Sequence, residues 1–254
     1  MIPLKDYNPT RHFPYVTVIL IAINVGVFLF IQRPFSSDEI RDARFSYQYA
    51  AIPCEVVEGR PLTDVEIDRT LRAGQDEACL RDADPGASRE VFPEKSVWLA
   101  VVYSMFLHGG LLHIGGNMLY LWIFGNNIED RMGSLPYLAF YLAAGVAAAA
   151  AHIFVQPSST IPVVGASGAV AGVMGAYLVL FPNVPIRTLL IVLLVFIRDF
   201  PAKWLLGFWF VLQFFTGEGS GVAWVAHVGG FVFGALIAFL FRERLRPTRV
   251  SVAY

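Results

Sequence analysis

One serine and one histidine in this chain have the residue types and the surroundings that nucleophilic catalysis requires. Ser167 lies in the run Gly-Ala-Ser-Gly at the start of an uncharged stretch over residues 161–181, and His227 lies near the start of a second uncharged stretch. A serine hydroxyl is a weak nucleophile until a neighbouring base takes its proton, and a neutral imidazole is a common base. The pair predicts acyl-transfer chemistry if the fold brings the two side chains together.

Small residues around this pair also have a purely structural interpretation. Glycines recur at helical spacing after Ser167 and again after His227, so each helix has a face with almost no side chains. Such faces are common where membrane helices pack closely, and a serine there often only bonds a backbone carbonyl. The same packing would also bring His227 to Ser167. The glycines concerned are Gly168, Gly172, Gly175, Gly230 and Gly234.

Attack on a peptide carbonyl also needs hydrogen-bond donors for the developing oxyanion. His113 and Asn117 are four residues apart in a third apolar stretch and share one helix face. The Ser167 backbone N–H and the N-terminal end of its helix are further candidates. The nearest acids, Glu129 and Asp130, belong to the opposite end of their span, so we expect a Ser–His dyad without the carboxylate of a triad.

Composition indicates a membrane protein. Of the 254 residues, 56% are hydrophobic and 15% are charged, and the mean hydropathy is +0.57. A soluble domain carries more charge, and a net charge of −1 argues against a nucleic-acid partner. Six uncharged runs predict an all-α, polytopic bundle of six transmembrane helices. These runs cover residues 15–31, 111–124, 135–155, 161–181, 204–216 and 222–241.

Charge bias predicts the orientation of the bundle. Nine of the 19 lysines and arginines lie in the long segment 33–96, and long translocated segments are largely exempt from the positive-inside rule. The other ten lie in both tails and in the loops on the same side, as the rule requires of cytoplasmic segments, and the short outer loops 156–164 and 217–221 contain none. Counting the short apolar run over residues 186–197 as a seventh span would put the arginine-rich tail outside, so we expect that run at the interface. The expected location is the plasma (inner) membrane of a bacterium.

The predicted units are a cytoplasmic tail (1–13), transmembrane helix 1 (14–32), an extracytoplasmic insertion (33–96), a core with helices 2–6 (97–241) and a basic cytoplasmic tail (242–254).

The insertion between helices 1 and 2 differs in composition from the rest of the chain. It holds 14 of the 20 acidic residues and both cysteines. Residues 62–73 predict a short helix with Thr63 as N-cap and Glu66 three residues on. Cys54 and Cys79 could form a disulfide in an oxidising compartment or remain free thiols. The sequence assigns the insertion no role.

Four stretches of this chain resemble the rhomboid intramembrane serine proteases. The resemblance extends over roughly residues 10–245 apart from the insertion, and the order of the motifs makes it specific. It implies proteolysis of transmembrane protein substrates within the lipid bilayer, without a metal or another cofactor. The stretches are SMFLHGGLLHIGGNM (104–118), EDRMG (129–133), GASG (165–168) and AHVGG (226–230), followed by Gly234.

The resemblance also implies roles for individual residues. The serine of GxSG is the family's nucleophile and falls on Ser167, and the histidine of the last span is its base and falls on His227. The HxxxN pair, which contributes to the oxyanion site, falls on His113 and Asn117. The two remaining positions, His108 with a supporting role and Gly165 as the first glycine of GxSG, complete the candidate site.

The chain departs from the family pattern in ways that bear on the base. Some members place an aromatic residue on the base histidine from four positions after the serine, and here that position is Ala171. What holds the His227 ring therefore stays open. Many members have Trp-Arg in the first loop, whereas this chain has Trp98-Leu99. The long insertion has no counterpart in the minimal fold.

Two other functions compete with proteolysis. A membrane metal or haem protein would use the histidines, but the sequence contains no HExxH motif and no acid shares their layer. A catalytically inactive rhomboid-like protein that binds membrane clients is the second alternative, and the presence of both Ser167 and His227 argues against it. The histidines of the first alternative are His108, His113, His152 and His227.

Overall fold

The computed structural model describes residues 1–34, 38–80, 89–191, 195–216 and 223–245. Most of these residues are helical, in agreement with the predicted helical membrane fold. The Cys54–Cys79 pair and every candidate site residue lie within them, whereas most of the basic tail lies outside. The bundle consists of α1 (Tyr15–Gly26, continued by a π-helical turn over Val27–Gln32), α5 (Val97–Ser104), α6 (Leu111–Tyr120, continued by a π-helical turn over Leu121–Gly125), α7 (Asn126–Met132), α8 (Ser134–Val155), α9 (Ser167–Leu180), α10 (Ala202–Gln213), α11 (Trp224–Leu240) and α12 (Arg242–Leu245).

Within the described residues, two helical segments are long and apolar enough to cross a membrane by length and composition alone, Tyr15–Gln32 and Ser134–Val155. The helices α9 and α11 are also apolar but shorter. Almost all of α9 is buried, so it forms the centre of the bundle. Its neighbours therefore determine the surroundings of Ser167, its first residue.

Helices α9 and α11 pack with their backbones in contact. A Cβ added to Gly230 would fall on the carbonyl oxygen of Gly168, and one added to Gly234 would fall on that of Gly172. On another face of α9, a Cβ on Gly168 would lie 2.5 Å from the Ala148 Cβ of α8. These contacts pair the first turns of α9 and α11 and keep the two helices parallel. The small residues thus bring Ser167 and His227 to one end of the bundle.

A three-stranded antiparallel sheet, in the order β1-β2-β3, lies at the other end of α9. It consists of β1 (Ile2–Asp6), β2 (Pro185–Ile191) and β3 (Val195–Pro201). The sequence analysis predicted no strand: it assigned 1–13 to a polar tail and 186–197 to an apolar interfacial run. The Asp6 carboxylate accepts hydrogen bonds from Tyr177 Oη (2.8 Å) and Asn127 Nδ2 (2.7 Å), which attach β1 to the bundle.

The insertion forms a small unit of three helices with its own core. The predicted helix over residues 62–73 is confirmed as α4 (Asp64–Ala73), and Thr63 and Glu66 form its capping box. A disulfide joins Cys54 to Cys79. Burial alone would raise the pKa of Glu66, but hydrogen bonds from Arg60 and from backbone N–H groups lower it to about 2. The helices are α2 (Glu39–Tyr49), α3 (Pro53–Glu58) and α4 (Asp64–Ala73).

Glu55 and Lys95 form a buried ion pair within the insertion, and each side chain is 2% exposed. Burial raises the pKa of Glu55 and lowers that of Lys95, so each group needs the other to remain charged.

The insertion is attached to the chain that precedes α9. The Ala51 N–H donates to Ser104 Oγ (2.6 Å), and the Val163 N–H donates to the Ala51 carbonyl (2.8 Å). The Gly165 N–H donates to the Ser104 carbonyl (2.9 Å). A continuous set of hydrogen bonds therefore runs from the insertion to the residue two positions before Ser167.

Candidate active site

Ser167 and His227 are in hydrogen-bond contact. The Ser167 Oγ lies 2.8 Å from His227 Nε2, and both side chains are half-buried. Ser167 is the first residue of α9, so it lies at the helix end where backbone N–H groups have no intrahelical partner. A positioned imidazole beside a serine hydroxyl is the arrangement of an activated nucleophile.

The other nitrogen of His227 contacts a residue that the sequence analysis missed. His227 Nδ1 lies 2.8 Å from Oε1 of Gln213, the last residue of α10. The indole of Trp209, one turn earlier, packs against the imidazole with ring centroids 5.7 Å apart. These two residues hold the ring in place of the aromatic residue that the family resemblance would put at position 171, which is alanine here. The sequence offered one signal for this contact: Gln213 is a lone uncharged polar residue in an apolar run, four positions after Trp209.

His113 lies next to the serine with one ring nitrogen already paired. The Gly109 N–H donates to His113 Nδ1 (3.2 Å), so the proton of the neutral ring is on Nε2. A Cβ on Gly165 would lie 2.8 Å from that Nε2 and 3.3 Å from Ser167 Oγ, and Gly165 has φ +134°. Gly165 therefore permits the close approach that places an N–H donor beside the nucleophile.

Asn117 and His108 supply buried polar atoms without partners. Asn117 is 8% exposed, and its Nδ2 has no hydrogen-bond partner among the described residues. Both ring nitrogens of the buried His108 also lack one within the described ranges. The His108 ring packs edge-on against the His113 ring, with 5.1 Å between their centroids, and this contact helps to fix the position of the His113 ring.

A small cavity of about 40 Å³ opens beside Ser167. It is lined by Ala51 and Pro53 of the insertion, by His152 of α8 and by the chain around Gly165. The insertion therefore forms part of the wall next to the nucleophile. A cavity of this volume is large enough for a small side chain or a water molecule.

The acids that the sequence analysis placed away from the serine lie at the opposite end of the bundle. Glu129 accepts hydrogen bonds from the N–H groups of Val16 (2.9 Å) and Thr17 (2.8 Å), and Asp130 accepts them from the backbone near the start of α1. They anchor helix termini. The His227 ring instead contacts the neutral amide of Gln213, an arrangement that differs from a Ser–His–Asp triad.

Comparison with known proteins identifies the family. A family model described as "Rhomboid domain" matches residues 95–244, which is more than half of the chain. The chain belongs to the rhomboid family. Among curated relatives, this rhomboid is 26% identical over 167 residues to "Rhomboid protein 1, mitochondrial" of Saccharomyces cerevisiae, covering 61% of this chain and 46% of that protein. It is 30% identical over 169 residues to "Rhomboid protease AarA" of Providencia stuartii, covering 61% of this chain and 59% of that protein.

A third relative matches a shorter segment. "Rhomboid protease GluP" of Bacillus subtilis is 36% identical over 93 residues, which cover 37% of this chain and 18% of that protein. The matches thus extend over 18–59% of these relatives' length.

Proposed function

We propose that this rhomboid is a serine endopeptidase that cleaves transmembrane segments of membrane proteins near the extracytoplasmic face. The observation that carries the proposal is the 2.8 Å contact between Ser167 Oγ and His227 Nε2 in the first turns of two closely packed helices. Two of the relatives reported above are named as proteases, which agrees with this activity.

The dyad accounts for both halves of the reaction. Ser167 Oγ attacks the scissile carbonyl carbon while its proton passes to His227 Nε2. The imidazolium then gives that proton to the leaving amine nitrogen as the C–N bond breaks, which leaves an acyl-enzyme. Water then attacks the acyl carbon while His227 takes its proton. That proton returns to Ser167 Oγ as the ester bond breaks, which releases the second product.

We assign three donors to the developing oxyanion: His113 Nε2–H, Asn117 Nδ2 and the backbone N–H of Ser167. Because Asn117 Nδ2 has no other partner in the described part of the chain, a developing oxyanion would give it one. In the family resemblance, the same two side chains contribute to this site.

The proposed topology has six spans, formed by α1, α6 with its π-helical turn, α8, α9, α10 and α11, with both termini cytoplasmic. Ser167 and His227 then lie near the outer surface, and the sheet with its arginines lies near the inner one, as the positive-inside rule favours. The proposed location is a bacterial plasma membrane, and the partners are transmembrane substrates in the lipid bilayer.

A peptide bond in a helix is shielded from attack, so the substrate must unwind locally. Small or helix-breaking residues near its outer end favour unwinding, because they stabilise the helix least.

Cleavage of a model single-span substrate tests the proposal. Purified wild type, Ser167→Ala and His227→Ala are reconstituted in liposomes, and the cut site is mapped by mass spectrometry. We expect wild-type cleavage near the outer membrane face and loss of cleavage in both variants. Equal inactivity of all three proteins on several substrates, together with capture of intact client helices, would support the inactive binding protein instead.

A further inference from the structure

The contacts of the catalytic base with α10 carry an inference beyond the dyad. We propose that Gln213 is a positioning residue that fixes the tautomer of His227, so that Nε2 is free to take the Ser167 proton. The inference rests on the proposed protease function and adds a residue that neither the sequence motifs nor the family resemblance contains.

The orientation of the Gln213 amide follows from its second hydrogen bond. Gln213 Nε2 lies 2.9 Å from the backbone carbonyl oxygen of Trp209. A carbonyl oxygen only accepts, so the amide nitrogen must be the atom that faces it. The flipped amide would set two oxygens against each other. Oε1 is therefore the atom that faces His227.

The tautomer of His227 follows from that orientation. Gln213 Oε1 only accepts, so His227 Nδ1, 2.8 Å away, must carry the proton and donate it. The neutral ring has one N–H, which leaves Nε2 with a lone pair toward Ser167 Oγ. This is the protonation state that a general base needs.

The same hydrogen bond persists through the reaction. When Nε2 takes the Ser167 proton, the imidazolium still donates Nδ1–H to the Gln213 oxygen, whose dipole stabilises the new positive charge. Gln213 is 7% exposed and sits in an otherwise apolar helix. Buried amides in such helices are rare and mark interhelical contacts or function.

Trp209 makes the arrangement rigid. Its indole packs on the imidazole, and its carbonyl holds the glutamine, so one helical turn of α10 determines both the plane and the tautomer of the base. This turn provides what the alanine at position 171 does not.

Steady-state cleavage of the model substrate by reconstituted full-length variants tests the inference. Gln213→Leu removes the acceptor at similar volume, and we expect kcat to fall about 10- to 100-fold, the worth of one hydrogen bond to a charged group, with KM changed less than twofold. Gln213→Glu keeps an acceptor oxygen, and we expect it to retain kcat within about fivefold of wild type. A merely structural role would affect both variants alike.

The matched control is Phe215→Leu, two residues further on, where the side chain is 79% exposed. We expect its kcat to be unchanged. If Gln213→Leu keeps kcat within twofold of wild type, the inference is wrong.

Imidazole ¹⁵N NMR provides a readout that does not depend on substrate. With the His227 signals assigned by their loss in His227→Ala, the wild type should show the Nδ1–H tautomer and Gln213→Leu a gain of the Nε2–H tautomer. An Nε2–H tautomer in the wild type would overturn the inference even if Gln213→Leu does not fold. Cleavage that survives Ser167→Ala would contradict the proposed function instead, so the two failures are distinguishable.

Discussion

Two polar clusters lie at opposite ends of the helical bundle, and they differ in how fully their atoms are paired. At the sheet end, Glu129 accepts four hydrogen bonds, from two backbone N–H groups at the start of α1 and from the hydroxyls of Thr17 and Ser134. At the other end, Asn117 Nδ2 and both ring nitrogens of His108 have no partner among the described residues.

This difference in hydrogen-bond pairing indicates different roles for the two clusters: the paired one stabilises the fold, and the unpaired one is available to a substrate. A buried unpaired donor costs about 1–3 kcal/mol, so folding alone favours the fully paired cluster. We expect the unpaired polar atoms at the serine end to bind a group that is present only during the reaction. The backbone contact between α9 and α11 holds the helices of Ser167 and His227 together. We therefore expect substitutions at the sheet end to change stability and substitutions at the serine end to change rate.

The largest expected effect is on catalysis at Asn117. Asn117→Ala should lower kcat about 100- to 1,000-fold, the usual cost of one oxyanion donor, with the melting temperature unchanged or raised because an unpaired amide is removed. Asn127→Ala is the matched control, since it removes an amide that is paired with Asp6. It should lower the melting temperature and leave kcat per folded molecule unchanged. A loss of stability in Asn117→Ala with a loss of kcat in Asn127→Ala would contradict the assignment of the two clusters to catalysis and stability.

A large loss of stability is expected at Glu129. Glu129→Ala leaves four donors without their acceptor and should lower the free energy of unfolding by about 3 kcal/mol. Denaturant unfolding in detergent measures this. The folded fraction should cleave substrate within threefold of the wild-type rate. A stable but inactive Glu129→Ala protein would instead give this acid a role in the reaction.

A smaller effect on both properties is expected at the α9–α11 contact. Gly234→Ala places a Cβ on the Gly172 carbonyl and should cost about 1–3 kcal/mol, because two backbones must separate. That separation also moves His227, so kcat should fall. Gly207→Ala is the control, since nothing lies within 4 Å of its added Cβ. Equal melting temperatures for the two variants would refute backbone contact as the link.

The smallest effect concerns acid stability of the insertion. The folded pKa of Glu66, about 2, lies below its ordinary value of 4.5, so its stabilising contribution is complete above pH 4.5 and is lost as pH falls toward 2. Glu66→Gln should flatten the decline in melting temperature over that range, while Asp68→Asn, at an exposed ion pair, should not. Parallel curves for all three proteins would show that Glu66 does not control acid stability.

The sequence predicted the parts of the site that depend on motif and helical period. Ser167, His227 and His113 come together because small residues recur at a period that two helices share, and the helix after Thr63 follows from its capping residues. Gln213 was not predicted because a single polar residue in an apolar run forms no spacing motif that would indicate which residue it contacts. The sheet escaped because β1 pairs with a strand about 180 residues later, and neither strand shows alternation.

The central claim is that His227 activates Ser167, and covalent labelling measures this most directly. A fluorophosphonate probe reacts with activated serines, and mass spectrometry of the labelled protein in detergent locates the adduct. The account predicts an adduct on Ser167 in the wild type and a loss of at least 100-fold in labelling rate in His227→Ala, with Asn127→Ala labelled as the wild type. An adduct on another residue, or equal labelling of Ser167 without His227, would contradict it.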